Sequence, residues 1–215
     1  MAIHKRKYTL QARAERQRQT RERIVAATVA LHEEVGPART TIAEIARRAG
    51  VQRLTVYNTF PDPVDLFAAC QGRFLTESPP PDLEPRAGAA PLARLEEVLT
   101  GLYGWYRSTE AMERNVHRDR KLVPDLDRLM AQTGDARFAA VADVHAAAIA
   151  GASAPPALVT LIRLALEFHT WELLTREGMT DGDAAALMTR AVSSWGQSSS
   201  NMPPSSAASA SEPKK

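Results

Sequence analysis

Residues 40–60, TTIAEIARRAGVQRLTVYNTF, constrain this chain more than any other stretch. Counting from Ile42 as position one, a small residue (Ala46) falls at position five, where two helices must cross closely. Gly50 falls at position nine, where the turn needs a left-handed backbone that only Gly takes without strain. Apolar residues fall at four, eight, ten and fifteen (Ile45, Ala49, Val51, Val56) and would fuse two helices into one unit. Thr41 and Glu44 have the spacing of a capping box, which satisfies orphan amides at a helix start. Together these marks predict a helix-turn-helix whose second helix runs from about Arg53 to Thr59.

The flanks extend the pattern. Upstream, Arg21 to Gly36 reads as an amphipathic helix with Ile24, Ala27, Val29, Leu31 and Val35 as its apolar content, stopped by Gly36-Pro37. Phe60 closes the second helix of the motif. Asp62 as N-cap and Pro63 at the first position then open a further helix. Charge follows the same division. Residues 1–60 carry twelve Lys or Arg and five Asp or Glu, a balance of +7; the remainder carries fifteen and twenty, a balance of −5. That is the footprint of a phosphate-binding module joined to one that does not bind.

At 215 residues the chain can hold one large or two small domains, and its 44% hydrophobic content is that of a soluble globular protein. No apolar run approaches the ~20 residues that span a bilayer, so no membrane partner is expected. The basic amino terminus lacks the apolar core of a secretory signal. A lone cysteine, Cys70, cannot form an internal disulfide, which fits a reducing cytoplasm.

Residues 1–18 form a basic arm with Lys5, Arg6, Lys7, Arg13, Arg16 and Arg18. It can extend the first helix backwards, or stay flexible until it meets DNA along phosphates or in the minor groove, or serve only solubility. Ser78 to Pro91 holds five prolines and reads as a linker. Leu92, Leu95, Leu99, Leu102 and Tyr106 then recur at helical spacing. A short helix is expected over 109–118 and a long one over 125–150. Another spans 158–176, with Leu158, Ile162, Ala165 and His169 on one stripe and Leu161, Leu164, Phe168 and Trp171 beside it. Asp181 or Asp183 starts the last helix, which reaches about Trp195. Residues 197–215, rich in Ser, Pro and Ala, are expected to be disordered. No strand pattern appears. The helices after 158 have too much apolar surface for one side of a monomeric bundle.

The run from Arg21 to about Cys70 resembles the DNA-binding domain of the TetR family of bacterial transcriptional regulators. The features that carry the resemblance are IVAA in the first helix, the Gly36 stop, TTIAEIARRAGV, the TVYNTF ending and the acidic-apolar start at Asp62. The resemblance covers about fifty residues. It implies an all-α fold of about nine helices. The expected division is a basic flexible arm (1–18), a three-helix helix-turn-helix domain (19–66), a helical ligand-binding and dimerisation domain (67–196) and a tail (197–215). It further implies a transcriptional repressor that binds a palindromic double-stranded DNA operator as a homodimer, nucleoid-associated when bound, and is released by a small-molecule effector.

On this reading Arg53 can make two hydrogen bonds to guanine and Gln52 can pair with adenine. Thr55 offers a methyl to thymine or a hydroxyl to phosphate. Tyr57 resembles the family's phosphate-contacting tyrosine, unless it only packs on the first helix, and Asn58 contacts base edge or phosphate. Thr40 and Thr41 sit where a helix N-terminus meets the backbone, although Thr41 can simply cap, and Arg47 or Arg48 faces the backbone or solvent. Four positions depart from the family pattern: His32 for an aromatic, Gln52 for Ser, Leu54 for Gly, and Pro63 for a phosphate-contacting Lys, a loss the basic arm can offset.

The resemblance also implies an effector pocket. Its candidate lining residues are Phe67, Phe74, Tyr103, Tyr106, Met112, Asn115, Arg120, Arg163, Glu167, His169 and Trp171, against ordinary core packing or, for Arg163 and Glu167, a surface ion pair. Apolar and aromatic lining suits a hydrophobic or aromatic effector. No cofactor is implied. The five histidines show no metal-ligand spacing with one another or with Cys70, and no nucleophile elbow or phosphate loop is present. An effector-independent, architectural DNA-binding protein with a filled core is the main alternative, and an all-helical enzyme a remote one.

Overall fold

The structure, a computed structural model, describes the backbone of residues 2–86, 88 and 90–199 and the side chains of 11–86, 88 and 90–195. Every regular element among them is helical. The serine-rich tail lies outside the described residues beyond Ser199.

Helix α1 (Ala2–Glu34) includes the basic stretch, so the helical alternative for the arm is the one observed. Its buried face is Ile24, Val25, Ala27 and Leu31. The helix ends where the Gly36 amide reaches back to Leu31 O at 3.2 Å with φ 93°, a backbone region that disfavours any side chain. Pro37 then opens a 3-10 turn over Pro37–Arg39. Helix α2 (Ile42–Ala49) is capped by the Thr41 hydroxyl, which accepts the Glu44 amide at 3.2 Å. Only this half of the capping box forms, because the Glu44 carboxylate turns to Arg47 instead. Gly50 takes the left-handed conformation (φ 65°, ψ 41°), and the Val51 amide closes on Ala46 O at 3.0 Å. Helix α3 (Arg53–Thr59) follows, then α4 (Pro63–Glu77), whose Asp62 cap accepts the Val64 amide at 2.9 Å.

Ile45, Ala46, Ala49, Val56 and Phe60 close a compact core with the α1 face, completed by Leu66 and Cys70 of α4. A boundary drawn after Leu66 therefore cuts through a helix that serves both halves. Cys70 is buried, and burial pushes its thiol up to about 12, so it is a packing group rather than a reactive one.

The larger part comprises α5 (Pro91–Ser108), α6 (Glu110–Asp119), α7 (Pro124–Met130), α8 (Ala136–Ala150), α9 (Pro156–Leu166), α10 (Phe168–Arg176) and α11 (Asp181–Ser199). A single helix over 125–150 is not what forms: a π turn at Ala131–Asp135 separates α7 from α8. Nor does one helix span 158–176. Glu167 is extended (φ −71°, ψ 136°), which frees the carbonyls of Ala165 and Leu166, and the buried hydroxyls of Tyr103 and Tyr106 donate to them, each at 2.7 Å. The break shifts the helical phase, so His169 leaves the apolar stripe and is exposed while Phe168 and Trp171 are buried.

The proline-rich segment 78–90 is more than a tether. Leu83 inserts fully into the larger core, its carbonyl meets His145 Nε2 at 2.8 Å, and the buried Arg94 guanidinium donates to Glu84 O and Asp82 O. Helix α11 starts at Asp181, as expected, and its cap is Thr180, whose hydroxyl accepts the Asp183 amide at 3.1 Å. Asp181 instead receives the Trp171 indole N–H at 2.9 Å and the Arg107 guanidinium.

Candidate functional site

The outer face of α3 is built by default from what the core leaves over. Val56 and Phe60 point inward, and that leaves Gln52, Arg53, Leu54, Tyr57 and Asn58 exposed. Leu54 is 64% and Tyr57 56% exposed, so more than half of each side chain is open to solvent. Gln52, Arg53, Tyr57 and Asn58 make no side-chain hydrogen bond or ion pair among the described residues, so their polar heads are available to a partner. Thr55 is half-buried. Thr40 donates its hydroxyl to Gly36 O at 2.9 Å and Thr41 caps α2. Arg47 is exposed and leans on Glu44, while Arg48 forks onto Glu34 of α1 at 2.5 and 2.7 Å and ties the two helices together. Arg21 lies over the Phe60 ring, 4.1 Å from its centre, and steadies the end of α3.

This module is held to the rest by α6. Helix α1 ends with carbonyls that have no partner in the helix. Asn115 Nδ2 donates to two of them, His32 O at 3.1 Å and Glu33 O at 2.7 Å, and Arg118 Nη2 donates to Val35 O at 3.0 Å. The Asp119 carboxylate accepts the Ala38 amide at 3.0 Å. It lies so close to Gly36 that a Cβ there would stand 2.3 Å from it.

The opposite side of α6 faces a cavity of about 380 Å³. Met112, Glu113, Val116 and His117 form that wall; α4 contributes Phe67, Cys70, Gln71 and Phe74, and α5 contributes Trp105 and Tyr106. The π turn and α8 close the far side with Thr133, Asp135, Arg137 and Phe138. Gln71 Nε2 donates to Thr133 Oγ1 at 3.0 Å, linking α4 to the π turn across the cavity edge. His32 lines the wall from α1, stacked on Phe67 at 5.6 Å. Burial lowers its pKa to about 4 against the opposing charge of Asp119, so it is neutral near pH 7 and serves as an aromatic ring.

Of the residues expected to line a pocket, Phe67, Phe74, Tyr106, Met112 and Glu167 do so. The other six lie elsewhere. Tyr103 and Trp171 are core residues with their polar atoms bonded to Ala165 O and Asp181. Asn115 sits on the far side of α6, gripping α1, and Arg120 is held by Asp127 and Asp135. Arg163 and His169 are exposed, and Arg163 forms no ion pair with Glu167 because the helix breaks between them. Sequence reasoning missed Gln71, Trp105, Glu113, His117 and Phe138. The spacing 112, 113, 116, 117 is a helical face and could have signalled the α6 wall; nothing local signals the π-turn wall. Among the described residues no group of three His, Cys, Asp or Glu is placed to hold a metal ion, and no helix is long and apolar enough to cross a membrane.

No curated protein sequence matches the chain. Among solved structures it is similar to the crystal structure of a TetR transcriptional regulator from Rhodococcus sp. RHA1, with 23% identity, 81% of this chain and 94% of that chain covered, and a TM-score of 0.41. Residues 24–70 match the family model described as bacterial regulatory proteins, tetR family. That match begins at the first buried residue of the α1 face and ends at Cys70, the last residue of the amino-terminal core. The helix-turn-helix module, residues 24–70, is therefore the part of this chain that is similar to the tetR family of bacterial regulatory proteins.

Proposed function

We propose that this chain is a transcriptional repressor of the cytoplasm that binds a palindromic DNA operator as a homodimer and leaves it when a small hydrophobic or aromatic effector enters the cavity. The observation that carries the reading is the sharing of helices. The exposed, unpaired polar face of α3 is held by α1 and α4, and α1, α4 and α6 are also cavity walls. A molecule that displaces α4 or α6 acts on the module that carries α3.

In this reading Arg53 and Gln52 address base edges, Thr55 and Asn58 contact base or phosphate, and Tyr57, Thr40, Thr41 and Arg47 meet the backbone. The basic stretch of α1, with Arg13 and Arg16, supplies phosphate contacts that Pro63 cannot. In the same reading residues 19–66 bind DNA and residues 67–196 bind the effector and dimerise, with α4 shared between them. Dimerisation falls to α9–α11, where Leu164 and Leu173 are exposed, and would set two α3 helices ~34 Å apart. An architectural protein without an effector would have a filled core; the cavity of about 380 Å³ favours the effector reading.

The test is fluorescence anisotropy on operator fragments selected from genomic DNA. Arg53→Ala is expected to lose ~1–3 kcal/mol and to relax preference at one base position. Arg13→Ala is expected to weaken all sequences alike and to lower the salt dependence. A monomer that holds selected and random duplexes equally would defeat the proposal.

A further inference from the structure

The charged side chains on the cavity wall do not balance. They are Glu113, Asp135, Arg137 and Glu167, with His32 and His117 as titratable neighbours. Asp135 is already neutralised by the Arg120 guanidinium, forked onto it at 3.1 and 2.8 Å. Arg137 is exposed to solvent, where its charge is screened. His32 is buried without charge. Two carboxylates are left. The Glu113 side chain is only 14% exposed, and its one ion-pair partner among the described residues is His117 Nε2 at a long 3.5 Å. Glu167, half-buried at the break between α9 and α10, has no hydrogen bond or ion pair to its carboxylate among the described residues. The Tyr106 hydroxyl does not serve it, because its proton goes to Leu166 O. Both carboxylates lie close enough to that hydroxyl to oppose its ionisation, behind the larger effect of burial.

A carboxylate withdrawn from water without a partner is costly, and a cation removes the cost. The remaining wall suits the same guest. Phe67, Phe74, Trp105, Tyr106 and Phe138 line the space with aromatic rings, a lining that can attract a diffuse cation and exclude water. An anion would meet two carboxylates and one screened arginine, and a neutral guest would desolvate both carboxylates with no compensation.

We infer that the cavity takes a lipophilic cation, an aromatic or aliphatic body carrying an amine or quaternary ammonium, with Glu167 and Glu113 as its counter-charges. This inference deepens the effector reading and rests on it. Arg120 and Asp135 stay paired and take no part; His117 is the neighbour that Glu113 exchanges for the guest.

Titration calorimetry on the full chain tests it with three probes of one shape: (naphthalen-2-ylmethyl)trimethylammonium, its neutral isostere 2-neopentylnaphthalene, and 2-naphthylacetate. The ammonium is expected to bind at least ~10-fold more tightly than the neutral isostere. Glu167→Gln and Glu113→Gln, which keep side-chain shape and are checked for an unchanged helical melting curve, should each remove most of that preference and leave the neutral probe unaffected. Equal binding of the ammonium and the neutral probe, a preference that survives both Gln variants, or tightest binding of the carboxylate through Arg137 would each overturn the charge assignment while the effector pocket stands. If none of the three binds to the folded chain, the pocket reading falls with it.

Discussion

The two halves of this protein handle their polar groups in opposite ways. In the amino-terminal module Ile24, Leu31, Ile45, Val56 and Phe60 pack together around a smaller space of about 200 Å³, and the unpaired polar side chains of α3 point out to solvent. In the larger half the core is left open around a cavity, and the carboxylates of Glu113 and Glu167 turn toward it. Short helices locked by local caps and turns make a stiff platform for the α3 face. An open core with unsatisfied groups is poised to change when something fills it. Helices α4 and α6 belong to both, so the rigid half can report on the poised one.

That contrast can be broken most severely where the larger half stores its polar satisfaction. Replacing both Tyr103 and Tyr106 by Phe leaves the carbonyls at the α9–α10 break without donors, and a loss of ~4 kcal/mol is expected in urea unfolding. The amino-terminal module should melt with unchanged helicity if it is isolated from the defect. A second test uses pH. Burial holds His32 at about 4, below its ordinary 6.5, so the unfolded chain binds a proton that the folded chain refuses. The resulting stability is complete above about pH 6.5 and is lost as pH falls towards 4, a change of ~3 kcal/mol. Urea titrations at intervals from pH 7 to 4 should show that slope, and His32→Phe, which keeps the stacked ring, should flatten it.

Two glycines sharpen the comparison further. Gly36 has φ 93° and is overhung by Asp119, so Gly36→Ala combines backbone strain with collision at the joint between the halves and should cost ~3 kcal/mol. Gly50 has φ 65° but open space, with only the Arg23 guanidinium 3.7 Å from a Cβ, so Gly50→Ala should cost ~1 kcal/mol from backbone strain alone. Equal melting shifts for the two would mean that the α6 joint contributes nothing. An effect as small as that of Gly50→Ala is expected at Thr41→Ala, which removes the α2 cap and should lower stability by ~1 kcal/mol, read as a modest shift in thermal midpoint.

Most of the amino-terminal module was legible in the sequence because its decisive interactions are local. The Thr41 cap, the Gly50 turn and the Gly36-Pro37 stop each act within a few residues, and the 3.6-residue period of Ile45, Ala49 and Val56 states which face is buried. The exposed face of α3 followed as the remainder.

The cavity was legible only in part. Phe67, Phe74, Tyr106 and Met112 lie on faces that periodicity reveals. Nothing around Glu167 announces a helix break, for there is no Gly or Pro beside it. The break exists because two tyrosine hydroxyls about sixty residues away accept the cost of the missing helical bonds by donating to the freed carbonyls. The same holds for Asn115, whose partners are the last carbonyls of α1, and for Leu83, drawn from a proline-rich segment into the core. By itself the sequence determined an all-helical chain with a helix-turn-helix of stated boundaries and a basic outer surface. Only the tertiary structure decided which side chains share the cavity and how it meets the helix-turn-helix module, because those contacts join residues far apart in the chain and leave no periodic trace within any one element.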